Sequence, residues 1–330
     1  QPPRSATMVR MNQLRTSLLA AAVAGAVLTP AAVAQGAPTT LAVEQAPTRV
    51  AAWNGTVMWS RFDPASQTYS LVKSVDGAAP VPVGVPARAG SPFDIDLGTN
   101  RSGSTYAVYT RDGDIYRLNV ATGAETRIDR LSSPQAPERD PTIMRGEIAF
   151  VRRVGGFDQL RIGNTTSGST GSRLLVRKRS ILKPELGTKH VVYVVTGPGP
   201  ISADGAQFVR IRNLRTGADH QIYRAVSGGA NAAGVTRPTY VDRPEGFLWA
   251  RTNHGSGRGN RIIRYTLRGS ALAYAQGTPF YNSTAWAGGA LGAATASSLD
   301  SGDSQGACAD GGTNYCKVEL SGPLRFDLRP

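Results

Sequence analysis

Short runs of apolar and β-branched residues, each ended within a few positions by Gly, Asp, Asn or Pro, recur from about residue 48 to the end of the chain. The clearest is Thr56-Val57-Met58-Trp59-Ser60-Arg61. It returns as Thr105–Arg111, Glu147–Arg152, His190–Val195 and Gly246–Arg251, with a degenerate copy at Gly289–Ala294. An aromatic marks the same place in five copies: Trp59, Tyr109, Phe150, Tyr193 and Trp249, spaced 50, 41, 43 and 56 residues apart. A run in which nearly every position is apolar belongs to a strand covered on both faces.

Each run has companions. Extended segments precede the six copies, at Arg49–Trp53, Phe93–Leu97, Asp140–Met144, Pro184–Gly187, Pro238–Val241 and Thr284–Ala287. A third segment follows each, as at Tyr69–Val72, Asp114–Val120 and Tyr315–Leu320. Asp76-Gly77, Thr122-Gly123, Thr216-Gly217 and Arg268-Gly269 supply turns, since such pairs accept the positive φ that tight hairpins need. Final strands are expected at Glu125–Ile128, His220–Tyr223 and Leu324–Leu328. Four antiparallel strands repeated six times, at about 45 residues per repeat, predict an all-β, six-bladed β-propeller over 48–330. Radial packing of blades buries both faces of the second strand. No amphipathic helical stretch stands against this.

The N-terminal part reads differently. Met8 or Met11 is the expected start, and Arg10 and Arg15 precede the apolar stretch Leu18–Leu28, which Pro30 ends. Ala32-Val33-Ala34 offers the small residues of a cleavage site, so 1–34 reads as leader and secretory signal, and 35–47 as an entry segment. That apolar core is too short to span a bilayer of about 30 Å, and no later stretch approaches a membrane span. The expected location is secreted or periplasmic. Loss of Arg4, Arg10 and Arg15 lowers the formal charge from +14 to +11. In an oxidising compartment Cys308 and Cys316, with Gly311-Gly312 between them, are expected to form a disulfide within the sixth blade.

With the repeat in view, the chain resembles the TolB-type, WD40-like family of six-bladed propellers. The resemblance rests on the strand pattern, on Asp-Gly-Asp-Ile-Tyr-Arg-Leu at 112–118 with Ala-Thr-Gly-Ala-Glu-Thr-Arg at 121–127, and on Ser202-Ala203-Asp204-Gly205 and Asp140-Pro141. It covers roughly 48–330, and TolB's separate N-terminal domain has no counterpart in it. What it implies is the fold.

Chemistry is sparse. Gly302-Asp303-Ser304-Gln305-Gly306 has hydrolase-like spacing but leads into the cysteine hairpin rather than a helix. His190, His220 and His254 fall in three separate elements with no zinc spacing, and Asp300, Asp303 and Asp310 do not follow a calcium-loop pattern. No catalytic set, metal site or cofactor is expected. Asp94 and Asp96 flank Ile95 on an inner strand, and period-two alternation turns both to one face, toward the central channel. Arg173, Arg177, Lys178 and Arg179 form a dense basic segment, and Arg258 and Arg261 a second. These eight are the candidate ligand-binding residues. Two readings follow: an exported, non-enzymatic, monomeric propeller that binds a protein or envelope ligand, with acidic polymers as one class of partner; or a propeller enzyme, a glycan hydrolase or lyase, with carboxylates at the channel.

Overall fold

A computed structural model describes residues 38–46, 48–165, 171–197, 206–225, 233–242, 245–253, 260–266, 271–277, 280–288, 291–298 and 316–322. They all lie in one compact unit, Gln35–Pro330.

The first strand, β1 (Thr39–Val43), joins the last sheet. Sheet 1 holds β2 (Val50–Trp53), β3 (Thr56–Asp63) and β4 (Thr68–Val75), with two short strands on β4, β5 (Val81–Pro82) and β6 (Arg88–Ala89). Sheet 2 is β7 (Asp96–Thr99), β8 (Thr105–Arg111), β9 (Asp114–Asn119) and β10 (Glu125–Arg127). Sheet 3 is β11 (Glu138–Met144), β12 (Glu147–Val154), β13 (Phe157–Asn164) and β14 (Arg173–Lys178). Sheet 4 is β15 (Leu182–Leu186), β16 (His190–Gly197), β17 (Ala206–Asn213) and β18 (Asp219–Ala225). In sheet 5, β19 (Ala233–Val235) and β20 (Thr239–Val241) both pair with β21 (Gly246–Asn253), followed by β22 (Asn260–Thr266) and β23 (Ala271–Gly277). Sheet 6 is β24 (Phe280–Gly288), β25 (Gly292–Ser298) and β26 (Lys317–Leu320), to which β1 adds antiparallel. The fold is all-β, a propeller of four-stranded antiparallel blades, with no helix among the described residues.

The inner strands pack in sequence: β2 on β7, β7 on β11, β11 on β15, β15 on β20, β20 on β24, and β24 back on β2. Period-two alternation explains how both faces of a sheet are covered. In β3, Val57 and Trp59 pack against Ala285, Ala294 and Val318 of sheet 6, while Met58 packs against sheet 2. In β8, Tyr109 turns to sheet 1 and Val108 to sheet 3; in β12, Phe150 turns to sheet 2 and Val151 to sheet 4. The hydrophobic core is thus a series of layers between sheets. Trp59, Tyr109, Phe150, Tyr193 and Trp249 are all fully buried in it.

Two expectations are corrected. Thr39–Val43, read as part of an entry segment, is a strand: it takes the outer place in sheet 6 for which the sequence reading used Leu324–Leu328, which lies outside the described residues. Its alternation is weak: among the described residues one edge is paired with β26 and part of one face packs on the core. The second strand of sheet 6 begins at Gly292, not Gly289; a run of Gly and Ala without an aromatic mark has nothing to fix its register.

Candidate functional site at the inner strands

Arg49, Asp94, Asp140, Lys183 and Arg237 occupy the same step in five consecutive sheets, just before or beside the residue that lies opposite the buried aromatic. The sequence repeats a charged residue before proline there: Asp140-Pro141, Lys183-Pro184, Arg237-Pro238. In sheets 3 and 4 the step is a bulge, and Asp140 and Lys183 take φ of 49° and 52°. A left-handed non-glycine residue costs about 1–3 kcal/mol. Here it delivers a charged side chain to the inside of the ring.

Arg237 is the hub. Its Nε donates to the carbonyl of Pro184 at 3.2 Å, Nη1 to Ile95 at 3.0 Å and Nη2 to Pro141 at 2.7 Å. These are equivalent carbonyls of sheets 4, 2 and 3, so one guanidinium fastens three sheets. Its side chain is only 10% exposed. Burial disfavours its charge, but Asp96, Glu185, Asp140 and Asp94 outweigh this and hold it protonated.

A second set of contacts links each sheet to the next. Asp96 Oδ2 accepts from the N–H of Ile143, Thr142 Oγ1 from Leu186, Glu185 Oε1 from Tyr240, and Thr239 Oγ1 from Trp286. The four acceptors share one position in sheets 2 to 5, and each donor is the next sheet's residue one place further on. Asp94 adds a similar link, accepting from the N–H of Asp140 as well as from the N–H and hydroxyl of Thr110.

The electrostatics are uneven. Burial, then the neighbouring Asp96, pushes the Glu185 carboxyl well above its ordinary 4.5. Asp96 is also raised by burial, despite Arg237. The Thr142 hydroxyl donates to Glu185 Oε2 at 3.4 Å and helps to lower both carboxyls against the effect of burial. Asp140 is different: burial would raise it, but Arg49, Arg139 and Arg237 together hold it low. Arg49 meets it at 3.1 Å and Arg139 at 2.6 Å. Lys183 donates to the carbonyl of Val235, and burial, reinforced by Arg49, lowers its ammonium to about 8.

Asp94 and Asp96, expected to face the central channel, are both buried and accept main-chain N–H groups of the next sheet. Arg173, Arg177, Lys178 and Arg179 are far from them in the topology, exposed on or just after β14, the outermost strand of sheet 3. Arg261 lies on β22, and Arg258, His254, Cys308 and the Gly302–Gly306 loop lie outside the described residues. Cys316 is buried. His190 contacts the Asn213 amide at 3.2 Å, and burial lowers its pKa.

Sequence reading missed a further repeat. Two residues after the aromatic stands an arginine, as in Trp59-Ser60-Arg61, Tyr109-Thr110-Arg111 and Phe150-Val151-Arg152. Each pairs with a carboxylate: Arg61 with Glu44, Arg111 with Glu125 and Arg152 with Glu138. Trp59 Nε1 and the Tyr109 hydroxyl donate to the same Glu44 and Glu125. In sheet 4, where residue 195 is Val, Arg210 replaces the arginine, and Asp219 receives both Arg210 and the Tyr193 hydroxyl. Arg61, Arg111, Arg152 and Arg210 are therefore committed to internal contacts. A separate cleft of about 190 Å³ between sheets 1 and 2, lined by Met58, Lys73, Val83 and Val120, is smaller than the roughly 300–1,000 Å³ typical of ligand pockets.

No family model matches the chain, and no curated protein matches it. Solved structures do. AofleA from Arthrobotrys oligospora is 6% identical, with 80% of this chain and 82% of that one covered and a TM-score of 0.51. The PQQ-bound aldose sugar dehydrogenase of Streptomyces coelicolor is 15% identical, with 87% and 96% covered and a TM-score of 0.49. A protein from Lactobacillus plantarum is 12% identical, with 87% and 89% covered and a TM-score of 0.44. At such identities the likeness is one of fold.

Proposed function

We propose that the chain is an exported, non-enzymatic, six-bladed propeller that binds a protein or cell-envelope ligand through its loops and outer edges. The observation that carries this is the use made of the inner polar groups. Arg237 is spent on three carbonyls, and Asp94, Asp96 and Glu185 each accept a main-chain N–H from the next sheet. Side chains committed to holding sheets together are poorly placed to meet a substrate, so recognition moves outward, where a rigid frame carries variable segments. Six sheets whose inner strands pack in a cycle support the count of six. The leader pattern of 1–34 supports export, and with it pairing of Cys308 with Cys316. The TolB-type likeness is carried by the quoted sequence segments alone.

The second reading, a glycan hydrolase or lyase, draws on the convergence of Asp96 and Glu185 around Thr142 with both acids raised. Co-sedimentation of the protein with isolated envelope fractions, run beside an assay for released sugar ends, separates the two. Saturable binding without release supports the binding propeller. Turnover that disappears in Glu185→Gln while the fold persists would overturn it in favour of the enzyme.

A further inference from the structure

Lys73 stands where sheets 3 and 4 bury isoleucine. It lies on β4 opposite Met58, the residue before Trp59, and so shares the face of sheet 1 that turns to sheet 2. The same place is Ile162 in sheet 3 and Ile211 in sheet 4, both buried. In sheet 5 it is Arg264, and in sheet 2 it is Arg117, whose guanidinium lies over the Tyr106 ring at 5.6 Å. Beside Lys73 the cleft of about 190 Å³ opens between sheets 1 and 2.

The cleft has an apolar floor and one charge. Met58, Val83, Leu118 and Val120 line it and are buried, and Lys73 is the one charged residue of the lining. Its ammonium donates to the Val120 carbonyl at 2.8 Å, and no carboxylate lies within 4 Å of it among the described residues. An ammonium carries three N–H groups, so two remain for a guest. Both rims are set in advance. Asn119 Oδ1 accepts from the N–H groups of Ala121 and Thr122, and the Gly123 N–H donates to the Asn119 carbonyl at 2.8 Å. Across the cleft, the Val83 N–H donates to the Leu71 carbonyl at 2.8 Å. At Gly84 a Cβ would meet nothing within 4 Å, so the rim is open there. A site formed in advance loses little affinity to ordering.

We infer that this cleft is a binding site for a small aliphatic monocarboxylate. Size, walls and charge each narrow the guest. An apolar cavity of about 150 Å³ is enough for benzene, so this space takes a body of about six to eight heavy atoms. Four buried apolar side chains would leave the hydroxyls of a sugar without partners. One ammonium with no acid beside it suits a single carboxylate. The same group occurs on a free acid and on the C-terminal leucine of a peptide. The inference goes beyond the protein or envelope partner proposed above and stands independently of it. If Lys73 serves only to clamp the Val120 turn to sheet 1, the cleft takes no anion in preference to a neutral guest.

Titration of the protein with isocaproate, followed by methyl NMR, tests this. Saturable shifts are expected at the methyls of Met58, Val83, Leu118 and Val120, with a dissociation constant of about 0.1–5 mM for a guest of this size. Ile211 of sheet 4 should not move. Isocaproamide, of the same shape without the charge, should bind at least about fivefold more weakly. Acetate, with the charge and no body, should not saturate in that range. Lys73→Met keeps the stem and removes the ammonium. It should bring acid and amide within about twofold of each other, whereas Lys73→Arg should keep the preference for the acid. Tighter binding of N-acetyl-leucine than of isocaproate assigns the group to a peptide end, and weaker binding to a free acid; either supports the site. Equal affinity of the native protein for acid and amide overturns the proposal without any variant. So does a preference for the acid that persists in Lys73→Met, a set of shifts that lies elsewhere, or no saturation by about 20 mM.

Discussion

Arg237 of sheet 5 donates to the carbonyl of Pro141 in sheet 3 at 2.7 Å, bridging two sheets that are not neighbours in the chain. The same guanidinium reaches Ile95 and Pro184, so its removal leaves three carbonyls and the acids Asp96 and Glu185 without their cation. Arg237→Met is expected to destabilise the protein by about 3–5 kcal/mol, the usual cost of breaking a buried charge network from one side. Arg237→Lys recovers little, because one ammonium does not span three sheets. Urea unfolding of both variants checks this, and a loss under about 1 kcal/mol would mean that the hub is dispensable.

A pH profile should expose Glu185. Its folded pKa is raised, so the native protein keeps a proton that the unfolded chain releases above about 4.5. Unfolding free energy then falls as pH rises from that value through the native pKa of Glu185. Asp140, held low, acts oppositely and only in acid: its contribution is present above about 3.8 and is lost as pH falls through its native pKa. Lys183, lowered from 10.5 to about 8, makes stability rise between those values. Glu185→Gln removes the Glu185 component, so above about pH 4.5 its stability should fall less, or rise more, with pH than that of the native protein, while the lowered His190 contributes to both profiles alike. Parallel profiles would contradict the assignment.

Glu44 follows β1 and is buried, yet it binds Trp59 Nε1 at 2.6 Å and Arg61 Nε at 3.3 Å on sheet 1. Glu44→Ala should release the strand locally before the whole protein unfolds, at a cost of about 2–4 kcal/mol. Hydrogen exchange reads this directly: the amides of Thr39–Val43 should lose protection while those of β12 and β16 keep it. Unchanged protection in β1 would remove Glu44 from that role.

Gly98 marks how closely sheets 2 and 3 approach. A Cβ there would sit 2.0 Å from the carbonyl oxygen of Ile143, a main-chain atom. Gly98→Ala is expected to cost about 1–3 kcal/mol or more through forced separation of the sheets. Gly84, with nothing within 4 Å, provides the contrast: Gly84→Ala should be neutral or stabilise by up to about 1 kcal/mol. Thermal denaturation of the pair decides, and equal melting temperatures would show that the close approach carries no strain.

The sheets were legible where a bulky residue marks them. Trp59, Tyr109, Phe150, Tyr193 and Trp249 fix the register of five second strands, and all five are buried as that pattern requires. The sixth drifted by three residues because Gly and Ala carry no mark. The inner ring was half legible: alternation pointed Asp94 and Asp96 inward, but Arg237 passed unnoticed, since its partners Ile95, Pro141 and Pro184 contribute main-chain oxygens that no residue type announces. Glu44 was hidden for another reason. It follows β1, which pairs with sheet 6, while its carboxylate goes to Trp59 and Arg61 of sheet 1, a side-chain contact that no alternation announces.

The pairing of Thr39 with Leu320 also orders assembly in time. A hairpin such as Arg111 with Asp114 closes within its own few residues, whereas β1 waits for a partner made near the other end of the chain. Early encounter of the two would close a loop of nearly the whole propeller, an entropic cost that grows with loop length. Once the intervening sheets have stacked, they carry β26 to where β1 already hangs, and most of that cost has been met. The last join is therefore the longest in sequence and the shortest in reach. Until it is made, β26 presents a bare edge open to any strand that arrives first. Moving Thr39–Ala46 to follow the C-terminus would turn this join into a local one, shortening the interval in which that edge stands open.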